Sequence, residues 1–143
     1  MLTHLVIAVD GSAPSRRAAL FGYGLAEQTK SQVTLVSVLR PPEIIPVGPL
    51  SGYLELSPPA TEAYTKQVHE LLGGIAAEHP AVKSTLLVET GPVSDTICEV
   101  ARRVNADLIV VGARGQNPAM RLLTGSVSDQ VARHAHCPVT IWR

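Results

Sequence analysis

Short apolar runs alternate along the chain with longer stretches in which apolar positions recur every three or four residues. Leu5–Val9 is such a run, closed by Asp10-Gly11-Ser12, and predicts a buried strand. Ser12 can cap a helix behind it, Pro14 suits that helix's first turn, and Ala18, Phe21 and Leu25 recur at helical spacing. Val33–Leu39 predicts the second strand. Tyr64, Val68, Leu71, Leu72 and Ile75 mark the second helix, and Thr85–Val88 the third strand. Gly91-Pro92 turns the chain into a third helix, striped by Val93, Ile97, Val100, Ala101 and Val104. Leu108–Val111 is the fourth strand, Val127, Val131, Ala132 and Ala135 mark the fourth helix, and Pro138–Trp142 is the fifth strand.

The order is β-α-β-α-β-α-β-α-β, with no repeat and no domain boundary. Such alternation predicts an α/β single domain, with a parallel sheet joined by right-handed crossovers and covered by helices on both faces. Arg40–Pro59 stands apart, because it holds six of the eleven prolines. It is too rich in proline for a helix or a central strand, and a long loop of this kind is a surface excursion, a flap beside a pocket or a partner contact.

Composition narrows the picture. The 143 residues suit one domain, and 45% hydrophobic against 17% charged residues gives a real core. Aromatics are only 3%, so that core is built from Val, Leu, Ile and Ala, as a buried parallel sheet requires. Twelve basic residues balance twelve acidic ones, which argues against nucleic acid or a charged membrane surface as partner. No apolar run approaches the roughly 18 residues of a membrane span. Met1-Leu2-Thr3-His4 runs straight into a strand pattern without a secretory signal, and Cys98 and Cys137 form no C-x-x-C pair, so a cytoplasmic, reduced protein is expected.

The candidate chemistry follows the fourth strand. Asp107-Leu-Ile-Val-Val-Gly-Ala-Arg-Gly leads, nine residues on, to Gly125-Ser126. Glycines let backbone N–H groups approach an anion without a Cβ in the way, and a new helix start adds unpaired donors and the positive end of the helix dipole. The pattern predicts a phosphate site; the plainer reading makes Gly112, Gly115 and Gly125 turn residues only.

These residues resemble the universal stress protein family. The likeness opens with Val-Ile-Ala-Val-Asp-Gly-Ser at residues 6–12 and continues through Gly91, the Gly112 segment and Gly125-Ser126-Val127. It closes with His136-Cys137-Pro138-Val139. The resemblance implies an open parallel five-stranded sheet in order 3-2-1-4-5, Rossmann-like and similar to adenine-nucleotide hydrolases. It also implies ATP as the ligand, because the G-x2-G-x9-G-[ST] pattern of the ATP-binding members is intact here. Ligands of open α/β sheets sit where the strand order reverses, here between the first and fourth strands. The loops meeting there are Asp10–Ser12 and Gly112–Gly125.

By the same resemblance, Asp10 lies near the ribose, Ser12 of the same loop is a further nucleotide-binding residue, the Val38 backbone reads the adenine edge and Ala8 forms a small apolar wall. Val111 and Gly112 border the ribose, while Gly115, Gly125, Ser126 and Val127 wrap the phosphates. Arg114 and Arg121 are placed to add charge, and Mg²⁺ would travel with the nucleotide. A homodimer through the edge strand Pro138–Trp142 is implied as well, consistent with an edge whose backbone groups are unpaired. The reading is a nucleotide-binding regulatory module. The alternatives are a slow ATP hydrolase and a non-binding interaction domain. No catalytic residue is assigned: there is no G-x-x-x-x-G-K-[ST] loop, no lysine from residue 84 to 143, and Asp129 is the one nearby carboxylate. Asp10 could equally be a turn residue bonding its own backbone. His134, His136 and Cys137 read as a capping histidine and a buried thiol rather than metal ligands, and Cys98 as a packed apolar residue. Thr124 is a candidate phosphorylation site, and Arg102-Arg103 suit the carboxyl end of the third helix.

Overall fold

A computed structural model describes residues 1–41, 44–46, 53–55, 62–113 and 126–143. The main sheet contains β1 (His4–Ala8), β2 (Gln32–Leu39), β5 (Ser84–Thr90), β6 (Leu108–Gly112) and β7 (Val139–Trp142), all parallel, in the order β5-β2-β1-β6-β7. This is the 3-2-1-4-5 arrangement. The helices are α1 (Ala13–Thr29), α2 (Glu62–Ala77), α3 (Val93–Arg103) and α4 (Val127–His134).

Alternation along each strand divides the core in two. Leu5, Ile7, Val33, Leu35 and Val110 pack under α1 and α2 with Ala18, Tyr23, Leu72 and Ile75. Val6, Val36, Ile109 and Val111 pack under α3 and α4 with Ile97, Val100, Ala101 and Val131. Leu5, Val6 and Ile7 are each 0% exposed, so β1 is enclosed on both faces, as its unbroken apolar run requires. Cys98 is buried in the second cluster, and burial pushes its thiol pKa up, which suits a packed rather than reactive cysteine.

Tyr23 is fully buried with its hydroxyl 3.0 Å from Ser84 Oγ, and its ring stacks on His79 at a centroid distance of 4.4 Å. Lys30 ends α1 by turning left-handed at φ 57°, its N–H still reaching the Ala26 carbonyl. The strand boundaries lie close to those expected. β7 starts at Val139 because Pro138 has no N–H for the ladder, although its carbonyl accepts from Ile109 N–H at 3.0 Å. Within Arg40–Pro59, β3 (Ile44–Pro46) pairs antiparallel with β4 (Tyr53–Glu55) as a separate two-stranded sheet, where only irregular chain was expected.

The amino ends of β1 and β6 are fastened by one carboxylate. Asp107 accepts from Thr3 Oγ1 at 2.7 Å, Thr3 N–H at 2.8 Å and His4 N–H at 3.0 Å. Led by the Thr3 hydroxyl, these bonds hold its pKa down at about 2. A carboxyl depressed in the fold stabilises it above the unfolded pKa of about 3.9, and that contribution is lost as pH falls toward the folded value. The Asp107→Asn variant is therefore expected to be less stable at neutral pH. Between about pH 4 and pH 2, its urea midpoint should fall less steeply than the parent's. Parallel midpoint curves through that window would show that Asp107 does not carry this dependence.

Candidate nucleotide site at the strand switch

From β1 the chain winds outward through β2 to β5 with α1 and α2 on one face, then crosses back to β6 and β7 with α3 and α4 on the other. The reversal falls between β1 and β6, and the loops leaving their carboxyl ends part to opposite faces. By the strand order, the crevice that such sheets open at this point would be bounded by residues 9–12 on one side and 111–113 on the other.

The Asp10–Ser12 side is a closed turn. Gly11 is left-handed at φ 83°, a conformation in which a side chain is strained. The Asp10 carboxylate accepts from Ser12 N–H at 2.9 Å and from the Ser12 hydroxyl. Ser12 Oγ caps α1 by accepting from Ser15 N–H at 3.3 Å. Ser15, 4% exposed, donates through Oγ to the Ser12 carbonyl at 2.9 Å and accepts from Asp10 N–H at 3.3 Å. The local turn role of Asp10 is thus seen directly. Ser15 was missed in the sequence; its signal was the Ser-x-x-Ser spacing at a helix start, although its hydroxyl bonds the Ser12 carbonyl and the Asp10 amide rather than the Ser12 amide of a capping box.

On the other side, Gly112 ends β6 beside Trp142, and Ala113 N–H continues the ladder to the Trp142 carbonyl at 2.8 Å. Ser126 caps α4, its Oγ accepting from Asp129 N–H at 3.2 Å and lying 2.8 Å from Ser128 Oγ. Ser94 Oγ donates to Gln130 Oε1 at 2.7 Å, tying the start of α3 to α4. Val127 packs its half-buried side chain on the core beneath α3 and α4. Two capped helix starts, those of α1 and α4, therefore stand near the carboxyl ends of β1 and β6; the first turn of α4 and its dipole end suit an anion, whereas Pro14 and the Ser12 cap leave α1 mainly its dipole.

Ala8 pairs with Val36 at the end of β1, and Val38 pairs with Glu89 near the end of β2; both are half-buried on the α3 and α4 face. Val111 is 3% exposed within that core, so its side chain is held away from solvent. Arg114, Gly115, Arg121, Thr124 and Gly125 lie outside the described residues.

The remaining candidates have structural partners. His134 Nδ1 is 2.9 Å from the Gln130 carbonyl, in the last turn of α4. Arg102 donates to the His134 carbonyl at 3.1 Å, and Arg103 pairs with Glu89, so both bind neighbouring elements from the last turn of α3. Cys137 is half-buried rather than buried, and that partial burial raises its pKa. Among the described residues no group of three His, Cys, Asp or Glu side chains could hold a metal ion, and no helix is long and apolar enough to cross a membrane. A cavity of about 520 Å³ lies at the opposite end of the sheet, beside Thr3, Glu27, Lys30, Gln32 and Lys83, remote from the crevice.

An open parallel sheet whose strand order reverses in this way is a doubly wound α/β fold, whose ligands bind outside the carboxyl ends of the strands at the reversal. The model of the universal stress protein family matches residues 1–143. A universal stress protein relative from Staphylococcus aureus (strain USA300) is 34% identical over 149 aligned positions, covering 100% of this chain and 86% of the relative. The chain belongs to the universal stress protein family. Two solved structures agree with the fold. A universal stress protein in complex with cAMP aligns with a TM-score of 0.74 at 24% identity, covering 98% of this chain and 95% of that one. The universal stress protein from Archaeoglobus fulgidus in complex with dAMP aligns at 0.68 and 20% identity, covering 100% and 98%.

Proposed function

We propose that this protein is a cytoplasmic stress-response regulatory module that binds ATP, with any Mg²⁺ carried by the nucleotide, in the crevice between β1 and β6. The observation that carries this reading is the start of α4 capped by Ser126, which closes the G-x2-G-x9-G-S pattern at the reversal of the strand order. Relatives of the same fold described with cAMP and dAMP support an adenine nucleotide as the ligand class.

In this reading Asp10 accepts from the ribose hydroxyls or meets the carried Mg²⁺. Ala8 and the Val38 backbone meet the adenine, and the backbone at Val111 and Gly112 borders the ribose. Gly115, Gly125, Ser126 and Val127 offer N–H groups to the phosphates, with Ser126 adding its hydroxyl and Arg114 its charge. The test is a calorimetric titration of the purified protein with ATP, AMP and cAMP. ATP is expected to bind, Gly125→Val to abolish binding while the fold persists, and Asp10→Ala to weaken it by about 1–3 kcal/mol, as for a lost charge-assisted hydrogen bond. A folded Gly125→Val protein with the parent's ATP affinity would sink the assigned phosphate loop.

We also propose a homodimer through β7, paired antiparallel across a two-fold axis. The strand is four residues long at the sheet edge, with Val139 and Ile141 half-buried on one face. On the other face Trp142, 36% exposed, stacks on Phe21 at 4.5 Å, beside Leu20 on the same helix at 48%. The parent should sediment as a dimer at micromolar concentration and Ile141→Lys as a monomer. A parent that stays monomeric at high concentration, with Trp142 shielded from quenchers, would rule the pairing out.

A further inference from the structure

We infer that Gly112 is a positioning residue for Asp10, acting across the crevice through the first turn of α1, and that its missing side chain makes room for that helix rather than for a ligand. Its effect on binding rests on the crevice being the nucleotide site; the coupling itself is a property of the free protein.

Gly112 shares its strand face with Val110, which packs under α1. A Cβ at Gly112 would lie 3.0 Å from Pro14 C, 3.0 Å from Ser15 N and 3.1 Å from Pro14 O. All three are backbone atoms in the first turn of a helix, so none can swing aside as a side-chain end can. Ser15 N is the very amide that donates to Ser12 Oγ, and Ser12 Oγ donates in turn to the Asp10 carboxylate. Ser15 Oγ holds the same turn from beneath, accepting from Asp10 N–H and donating to the Ser12 carbonyl. A shift of Ser15 N therefore reaches Asp10 through two hydrogen bonds, a part-buried one at Ser15, which is only 4% exposed, and an exposed one at Asp10.

Gly22 supplies the contrast. It lies on the same helix, about two turns further on, and a Cβ there would meet Ile7 Cδ1 at 2.6 Å. That neighbour is the mobile end of a core side chain, outside the Asp10 turn.

Hydrogen exchange of individual amides in nucleotide-free protein tests the coupling. In Gly112→Ala the Ser12 and Ser15 amides should exchange roughly five- to tenfold faster, the change expected for a loosened helix cap. In Gly22→Ala, corrected for global stability, they should exchange as in the parent. ATP affinity should fall about tenfold in Gly112→Ala and stay within about twofold in Gly22→Ala. Adding Asp10→Ala to Gly112→Ala should cost much less than Asp10→Ala alone, the non-additivity of a shared network. Unchanged exchange in Gly112→Ala alongside weaker ATP binding would put the new Cβ against the nucleotide and overturn the inference. A parent that binds no ATP would end the nucleotide reading, while the exchange result would still decide the coupling. If Gly112→Ala does not fold, Ser15→Ala replaces it. That variant should speed exchange at the Asp10 and Ser12 amides, and an unaltered rate there would overturn the inference.

Discussion

A right-handed crossover between parallel strands keeps its helix on one face of the sheet for as long as the chain winds in one direction. To cover both faces the winding must reverse, and here it reverses beside β1. The strand then has β2 along one edge, β6 along the other, and a helical layer above and below. Leu5, Val6 and Ile7 are wholly enclosed and paired on both edges, which is the condition for burying a polar backbone. Only at the carboxyl ends of β1 and β6 do the exits diverge to opposite faces. The crevice is thus a product of handedness before it is a product of any particular side chain.

The two ends of the β1–β6 pair are fastened by different means. At the amino end a single half-buried carboxylate gathers three donors from Thr3 and His4. At the carboxyl end the spacing is set by absence, with bare Gly112 backbone against the start of α1. The first joint depends on ionisation and the second on shape alone. Helix α1 extends from this second joint to Phe21, whose ring lies on Trp142 of the edge strand, so one rigid element borders both the crevice and the sheet edge.

The five main strands were legible because each is an apolar run bounded by turn residues, and the helices because their apolar positions follow a 3.6-residue period. The β3–β4 pair was not. Its prolines argue against a ladder, and a separate two-stranded sheet carries no core periodicity to betray it. At the site, the glycine spacing and the Ser12 cap could be read directly, since Ser12 precedes a helical stripe; the capping role of Ser126 could not. The contacts could not. That Ser15 would bind back to Asp10, or that Val111 would sit wholly in the core, depends on strand parity and on where α1 lands. Neither follows from local sequence. Arg102 and Arg103 show the same limit: their position at a helix end was evident, and their grip on His134 and Glu89 was not.

The pairing of β1 with β6 also bears on how this chain acquires its shape. The Asp107 carboxylate and the Thr3 amide it binds are 104 positions apart. As the chain leaves the ribosome, β1 can find β2 early, but its other edge stays open until β6 emerges. Through that interval Leu5, Val6 and Ile7 lack half of their final enclosure. Long-range parallel pairing of this kind is slow, because loop closure must precede any reward from contact. A central strand of the finished domain is therefore among the last to be sealed, and an incomplete chain exposes an apolar strand edge open to aggregation.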